Sequence, residues 1–196
     1  MTGIILAGGK STRMGSSKAL LNIGGKTVVQ RVIEVLQTIF PQIIIVANDE
    51  ETYRHLGYPI VGDIISGYGP LGGLHAGLTA SSSEVNFLVA CDMPLLQPAL
   101  IRFMISQTKD YDAVLPKSGP YLEPLHAVYK RSCLPAVEKV MAAGRKKVTS
   151  FFDDISINYL EEEELVAYGQ PKRAFLNVNT PEDWLTVRKL LQDLEE

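Results

Sequence analysis

The chain has 196 residues, 46% hydrophobic and 21% charged, an ordinary balance for a globular protein able to bury a full core. Its formal net charge is −3, so global electrostatics give no support for binding nucleic acid or a membrane surface. Met1 runs almost at once into an apolar segment, so no signal peptide is expected, and no apolar run approaches the roughly 18–20 residues of a membrane helix.

The first predicted strand, 3–7, is a continuous apolar run of the kind buried in parallel sheets. It leads directly into Gly8 and Gly9, followed by Lys10, Arg13, Gly15 and Lys18. Glycines allow backbone N–H groups to approach a ligand closely, and three cations surround the loop, so a triphosphate is its natural guest. A P-loop is excluded, because it requires glycine at position 4, where Ile4 stands. The dinucleotide fingerprint is excluded by the spacing of glycines 8, 9 and 15.

A helix over 27–39 follows, with Val28, Val29, Val32, Ile33, Leu36 and Ile39 on one face. Next come a strand at 43–47, a helix at 50–56 and a strand at 59–62. Asp63 lies just beyond that strand, a candidate acceptor for a sugar hydroxyl or a base N–H. It opens a stretch with Gly67, Gly69, Gly72 and Gly73 that leads into a helix at 71–80. His75 reads as a helix histidine, and His55 and His126 carry no partner signal. The run 86–91 ends in Cys91, read as a reduced core thiol, and Asp92 follows at the strand's carboxyl end. Ligands of open α/β sheets sit there, and Mg²⁺ needs only one or two carboxylates when phosphate oxygens complete its shell.

A helix at 97–108, strands at 112–115 and 125–130, and a helix at 132–143 continue the alternation. Arg145, Lys146 and Lys147 form a basic group that is either a solvated helix end or a second phosphate site. After a strand at 155–159, the acidic run Glu161–Glu164 reads as a turn or helix start. A strand at 174–178 carries Asn177 and leads to Asn179, each a candidate ligand contact or turn residue. Thr180-Pro181-Glu182-Asp183 is a helix start, and the helix 181–194 buries Trp184, Val187, Leu190 and Leu191.

The expected fold is α/β: a single Rossmann-like three-layer α/β/α sandwich with a mostly parallel sheet, spanning 1–196 as one domain. With two cysteines and no zinc-type spacing, a cytoplasmic location is expected.

Together LAGGKSTRMG with SSK, GPLGG, ACDMP and NVNTPED resemble the signatures of the molybdenum cofactor guanylyltransferase family, over Gly3 to about Trp184. The resemblance implies a nucleotidyltransferase that binds GTP and Mg²⁺ and transfers GMP to Mo-molybdopterin, releasing pyrophosphate. It implies nucleotide contacts from Leu6, Ala7, Gly8, Gly9, Asn48 and Asp63. Lys18 matches the family's phosphate lysine, Asp92 its metal ligand, and Arg13 joins Lys18 in stabilising the leaving group. Asn48 lies in the segment of the family's asparagine contact, but Val46 occupies a nearby position where family members carry asparagine, which leaves that contact open. The acceptor would lie near Pro124–Ala127, Arg145, Lys146, Asn177 and Asn179. Implied partners are the apo-molybdoenzyme and a GTP-binding accessory protein. Two other readings stay open from the residues: a cytidylyltransferase or other NTP transferase for a phosphorylated acceptor, and a GTP-binding regulator without turnover.

Overall fold

The structure, a computed structural model, describes residues 1–8 and 18–195, apart from the side chains of Lys18, Leu194 and Glu195. The first element is β1 (Thr2–Leu6), followed by the small hairpin β2 (Asn22–Ile23) and β3 (Lys26–Thr27). Then come α1 (Val28–Leu36), β4 (Gln42–Val46), α2 (Glu50–Tyr53), β5 (Ile60–Val61), α3 (Pro70–Ala80) and β6 (Val85–Ala90). The second half contains α4 (Pro98–Ser106), β7 (Ala113–Ser118), β8 (Tyr121–Leu122), β9 (His126–Lys130) and α5 (Leu134–Ala142). It ends with β10 (Ile157–Leu160), α6 (Glu162–Leu165), α7 (Pro171–Ala174) and α8 (Pro181–Glu195).

The sheet order is β10-β7-β9-β6-β1-β4-β5, with β8 paired to β7 at the side. Along this order neighbours run parallel except β9, which is antiparallel to both β6 and β7, and the side strand β8 is antiparallel to β7. Period-2 alternation sends β1 side chains to two separate cores. Ile5 joins Val29, Val32, Phe87, Leu100 and Ile101 on the face covered by α1 and α4. Ile4 and Leu6 join Leu71, Leu74, Leu88 and Val137 on the face covered by α3 and α5. This is the expected three-layer α/β sandwich. A smaller cluster pairs Ile23 and Val28 with Val178, Val187 and Leu191, and the Trp184 indole N–H donates to the Asn22 carbonyl at 3.3 Å.

Local chemistry sets the helix starts. Thr27 caps α1 reciprocally with Gln30: the Gln30 amide donates to the Thr27 hydroxyl oxygen at 3.3 Å, and the Thr27 amide donates to the Gln30 side-chain oxygen at 2.8 Å. Thr180 and Asp183 do the same for α8. Glu161 opens α6 by the same device with Glu164, so the acidic run is a helix start.

The expected strand at 174–178 does not form. Pro171 starts α7, whose turn takes the amides of Phe175 and Leu176 onto the carbonyls of Pro171 and Arg173. The segment then runs irregularly past β6, where the Val178 amide donates to the Asp92 carbonyl at 2.9 Å.

Helix α3 lies close on β1 because its inner face carries glycine. A Cβ on Gly77 would stand 2.6 Å from Cγ2 of Ile4 and 3.3 Å from Cγ2 of Val46. Gly77→Val is therefore expected to cost about 2 kcal/mol of stability through overpacking, lowering the melting temperature by about 4–8 °C. Calorimetry checks this, and an unchanged melting temperature would refute the close approach.

Candidate active site

The carboxyl ends of β1, β4, β5 and β6 open into a cleft of about 750 Å³. Leu6, Ala7 and Gly8 line it from the end of β1, and Asn48 and Asp49 from the end of β4. Asp63 lines it from beyond β5, and Cys91 and Asp92 from beyond β6. Gly69, Pro70 and Gly73 bring in the first turn of α3, Leu125 enters from the start of β9, and Asn177 and Asn179 close the side before α8.

Main-chain hydrogen bonds fix this edge. The Ala7 amide donates to the Val46 carbonyl at 2.9 Å, and the Cys91 amide to the Leu6 carbonyl at 3.0 Å. The Ala90 amide reaches the Leu125 carbonyl at 3.0 Å. The chain leading into Asp92 is therefore pinned to β1 and to the entry to β9, and the Asp92 carbonyl accepts the Val178 amide from the segment before α8.

Asn48 and Asp63 form a two-point pair. The Asn48 side-chain N–H donates to Oδ2 of Asp63 at 3.0 Å, and the Asp63 amide donates to Oδ1 of Asn48 at 2.8 Å. Asn48 thus orients the Asp63 carboxylate. Asp49 is committed to capping α2: hydrogen bonds from the Thr52 hydroxyl and amide hold its carboxyl below the usual range. Glu123 lies in the loop before Leu125, where burial pushes its carboxyl up.

The first turn of α3 adds positive character to the cleft, since an α-helix N-terminus carries unpaired N–H groups and the positive end of its dipole. A negatively charged guest is favoured there, and the hard oxygen donors of Asp92, Asn177 and Asn179, which line the same cleft, suit a hard cation.

Eight of the residues singled out from sequence line this one cleft: Leu6, Ala7, Gly8, Asn48, Asp63, Asp92, Asn177 and Asn179. Arg145 and Lys146 do not line it. The Arg145 amide closes the end of α5 on the Val140 carbonyl, and Lys146 Nζ stands 5.9 Å from the centroid of the Tyr68 ring. Gly9, Arg13 and the side chain of Lys18 lie outside the described residues. Tyr53 also lines the cleft without having been singled out; Leu125 falls in the 124–127 stretch expected near the acceptor, and Gly69-Pro70 in the glycine-rich stretch leading into α3. The last had a readable signal, proline at a first helical position after glycine.

Residues 3–158 match the family model described as the MobA-like NTP transferase domain. A probable molybdenum cofactor guanylyltransferase from Pelotomaculum thermopropionicum is 42% identical over 98% of this chain and 94% of its own length. The molybdenum cofactor guanylyltransferase of Syntrophotalea carbinolica is 35% identical over 92% and 87%. The crystal structure of molybdopterin-guanine dinucleotide biosynthesis protein A from Archaeoglobus fulgidus superposes with a TM-score of 0.85. It is 26% identical and covers 98% of this chain and 100% of that one. With its fold, its family match and its full-length relatives in agreement, the chain belongs to the MobA-like NTP transferase family and is a nucleotidyltransferase.

Proposed function

We propose that the cleft transfers GMP from GTP to the terminal phosphate of Mo-molybdopterin, forming the guanine dinucleotide and releasing pyrophosphate. The observation that carries this reading is the meeting of Gly8, Asp63, Asp92 and the α3 N-terminus in one cleft at the sheet's carboxyl edge. The molybdenum cofactor guanylyltransferases among its relatives supply the identity of the substrates.

In this reading a phosphate oxygen of the acceptor attacks the α-phosphorus of GTP. A new P–O bond forms as the bond to the bridging oxygen of pyrophosphate breaks. The nucleophile is already anionic near neutral pH, so no general base is required, and the protein's work is positioning and charge neutralisation. Asp63, aligned by Asn48, takes a donor group of the nucleoside. Gly8 and Gly9 offer backbone N–H groups to phosphate, and Arg13 and Lys18 neutralise the leaving β- and γ-phosphates. Asn177 and Asn179 face the acceptor. A contact from Arg145 or Lys146 requires that acceptor to extend past Tyr68.

The donor set fits Mg²⁺. Asp92 supplies one carboxylate, the asparagines add only oxygen or amide donors, and no group of three or more His, Cys, Asp or Glu gathers among the described residues. Such a site suits a cation completed by substrate phosphates, and when bound it offsets phosphate charge and polarises the α-phosphorus.

We further take 1–196 as one domain, supported by the packing of α8 against the β2–β3 hairpin. Cys91 and Cys133 are not joined in a disulfide, which supports a cytoplasmic setting, and no helix among the described residues is long and apolar enough to cross a membrane. An apo-molybdoenzyme and a GTP-binding accessory protein are the partners this role entails.

The test is incubation of the protein with Mg²⁺, Mo-molybdopterin and either GTP or CTP. Guanine dinucleotide and pyrophosphate are expected from GTP. Product from CTP alone overturns the base assignment, and GTP binding without pyrophosphate release makes the protein a regulator.

A further inference from the structure

We infer that Tyr53 is a positioning residue for the nucleotide, its hydroxyl orienting the peptide that presents the Gly8 N–H to phosphate; this rests on the nucleotide reading above. Ala7 is the residue before Gly8, and both its backbone groups are engaged. Its N–H is held by the Val46 carbonyl, and its carbonyl accepts the Tyr53 hydroxyl at 3.1 Å. No peptide bond among the described residues is cis. In a planar trans peptide the carbonyl and the following N–H point in opposite directions. The Ala7–Gly8 unit, with its oxygen turned onto Tyr53, must therefore present the Gly8 N–H on the opposite side. Gly8 lines the cleft, and its N–H makes no hydrogen bond among the described residues.

Tyr53 is well anchored for this role. Only 3% exposed, it packs in the core shared by α1 and α4 while also lining the cleft. It ends α2, whose start is pinned by the Asp49 cap. A buried tyrosine hydroxyl needs a polar partner, and here the Ala7 carbonyl provides one. The ring's burial thus sets the direction of a donor at the carboxyl end of β1. A fixed N–H at that point suits a phosphate oxygen of a nucleoside triphosphate.

Tyr53→Phe keeps the ring and removes only the hydroxyl. GTP·Mg²⁺ binding, measured by titration calorimetry, is expected to weaken about fivefold, with KM for GTP rising in parallel and kcat within about twofold of wild type. The melting temperature should fall by no more than about 4 °C. In the ligand-free protein the Gly8 amide resonance should move. Equal GTP affinity in variant and wild type, a loss confined to kcat, or an unmoved Gly8 resonance each rejects the role of Tyr53. Failure of the wild type itself to bind GTP rejects the nucleotide reading and the proposal with it.

Discussion

Asp92→Ala is expected to lower GMP transfer by on the order of 10²–10³-fold, the usual cost of removing one preorganised charge contact from a transition state. The fold should survive, because Asp92 is held through its main chain. Its carbonyl accepts the Val178 amide, and the neighbouring Cys91 amide is paired with Leu6. Neither bond needs the carboxylate. Asp92→Asn sharpens the test: it keeps the side chain's shape and removes its charge, so its kcat should fall nearly as far and its Mg²⁺ requirement should shift upward. Steady-state assays over a range of Mg²⁺, with a thermal melt of each variant, make the measurement. Near-wild-type turnover in Asp92→Ala would remove this residue from the metal site. Lys18→Ala is the companion expectation from the sequence, with turnover lost and the fold retained.

The second large effect is on stability against acid. His126 is fully buried in β9, its ring edge-on to Phe87 at 5.0 Å and to Phe175 at 4.9 Å between centroids. Neither ring nitrogen has a hydrogen-bond partner among the described residues. Burial lowers its pKa from 6.5 to about 3, because no neighbouring group compensates a charged imidazolium there. The unfolded chain therefore binds a proton that the folded chain refuses throughout that interval. Stability is unaffected by this group above pH 6.5, and falls as pH drops from 6.5 toward 3, by up to about 1.4 kcal/mol per pH unit. His126→Leu removes the titration and keeps an apolar side chain in place. Denaturant unfolding at pH 7 and pH 5 should show a smaller loss in the variant than in wild type. Equal losses would mean that the ring reaches solvent or a partner.

The main sheet was legible in sequence because its strands are buried apolar runs, and their ends marked Asp63 and Asp92 without further help. Position alone brought those acids to one edge. The β2–β3 hairpin, two residues on each side, is too short to show a period. The run 174–178 misled because apolar alternation does not reveal that Pro171 has already committed the next amides to a helical turn. Tyr53 was illegible for a different reason. Its hydroxyl serves a residue 46 positions earlier, and no local pattern encodes such a contact. Arg145 and Lys146 drew notice by charge, yet the chain sets them at the end of α5, where cations favour a helix terminus whether or not a ligand is present.

The reversal of β9 has a consequence for how this enzyme class can diversify. A strand that runs against its neighbours begins where they end, so the chain between β7 and β9 turns over at the mouth of the cleft rather than crossing behind the sheet. Residues can be inserted at the Gly119-Pro120 turn between β7 and β8, beside the largely bare Tyr121, without shifting the rungs that β9 makes with β6 and β7. Evolution is thereby given one stretch at the entrance that it can re-tailor to a new acceptor, while the nucleotide half of the pocket stays fixed.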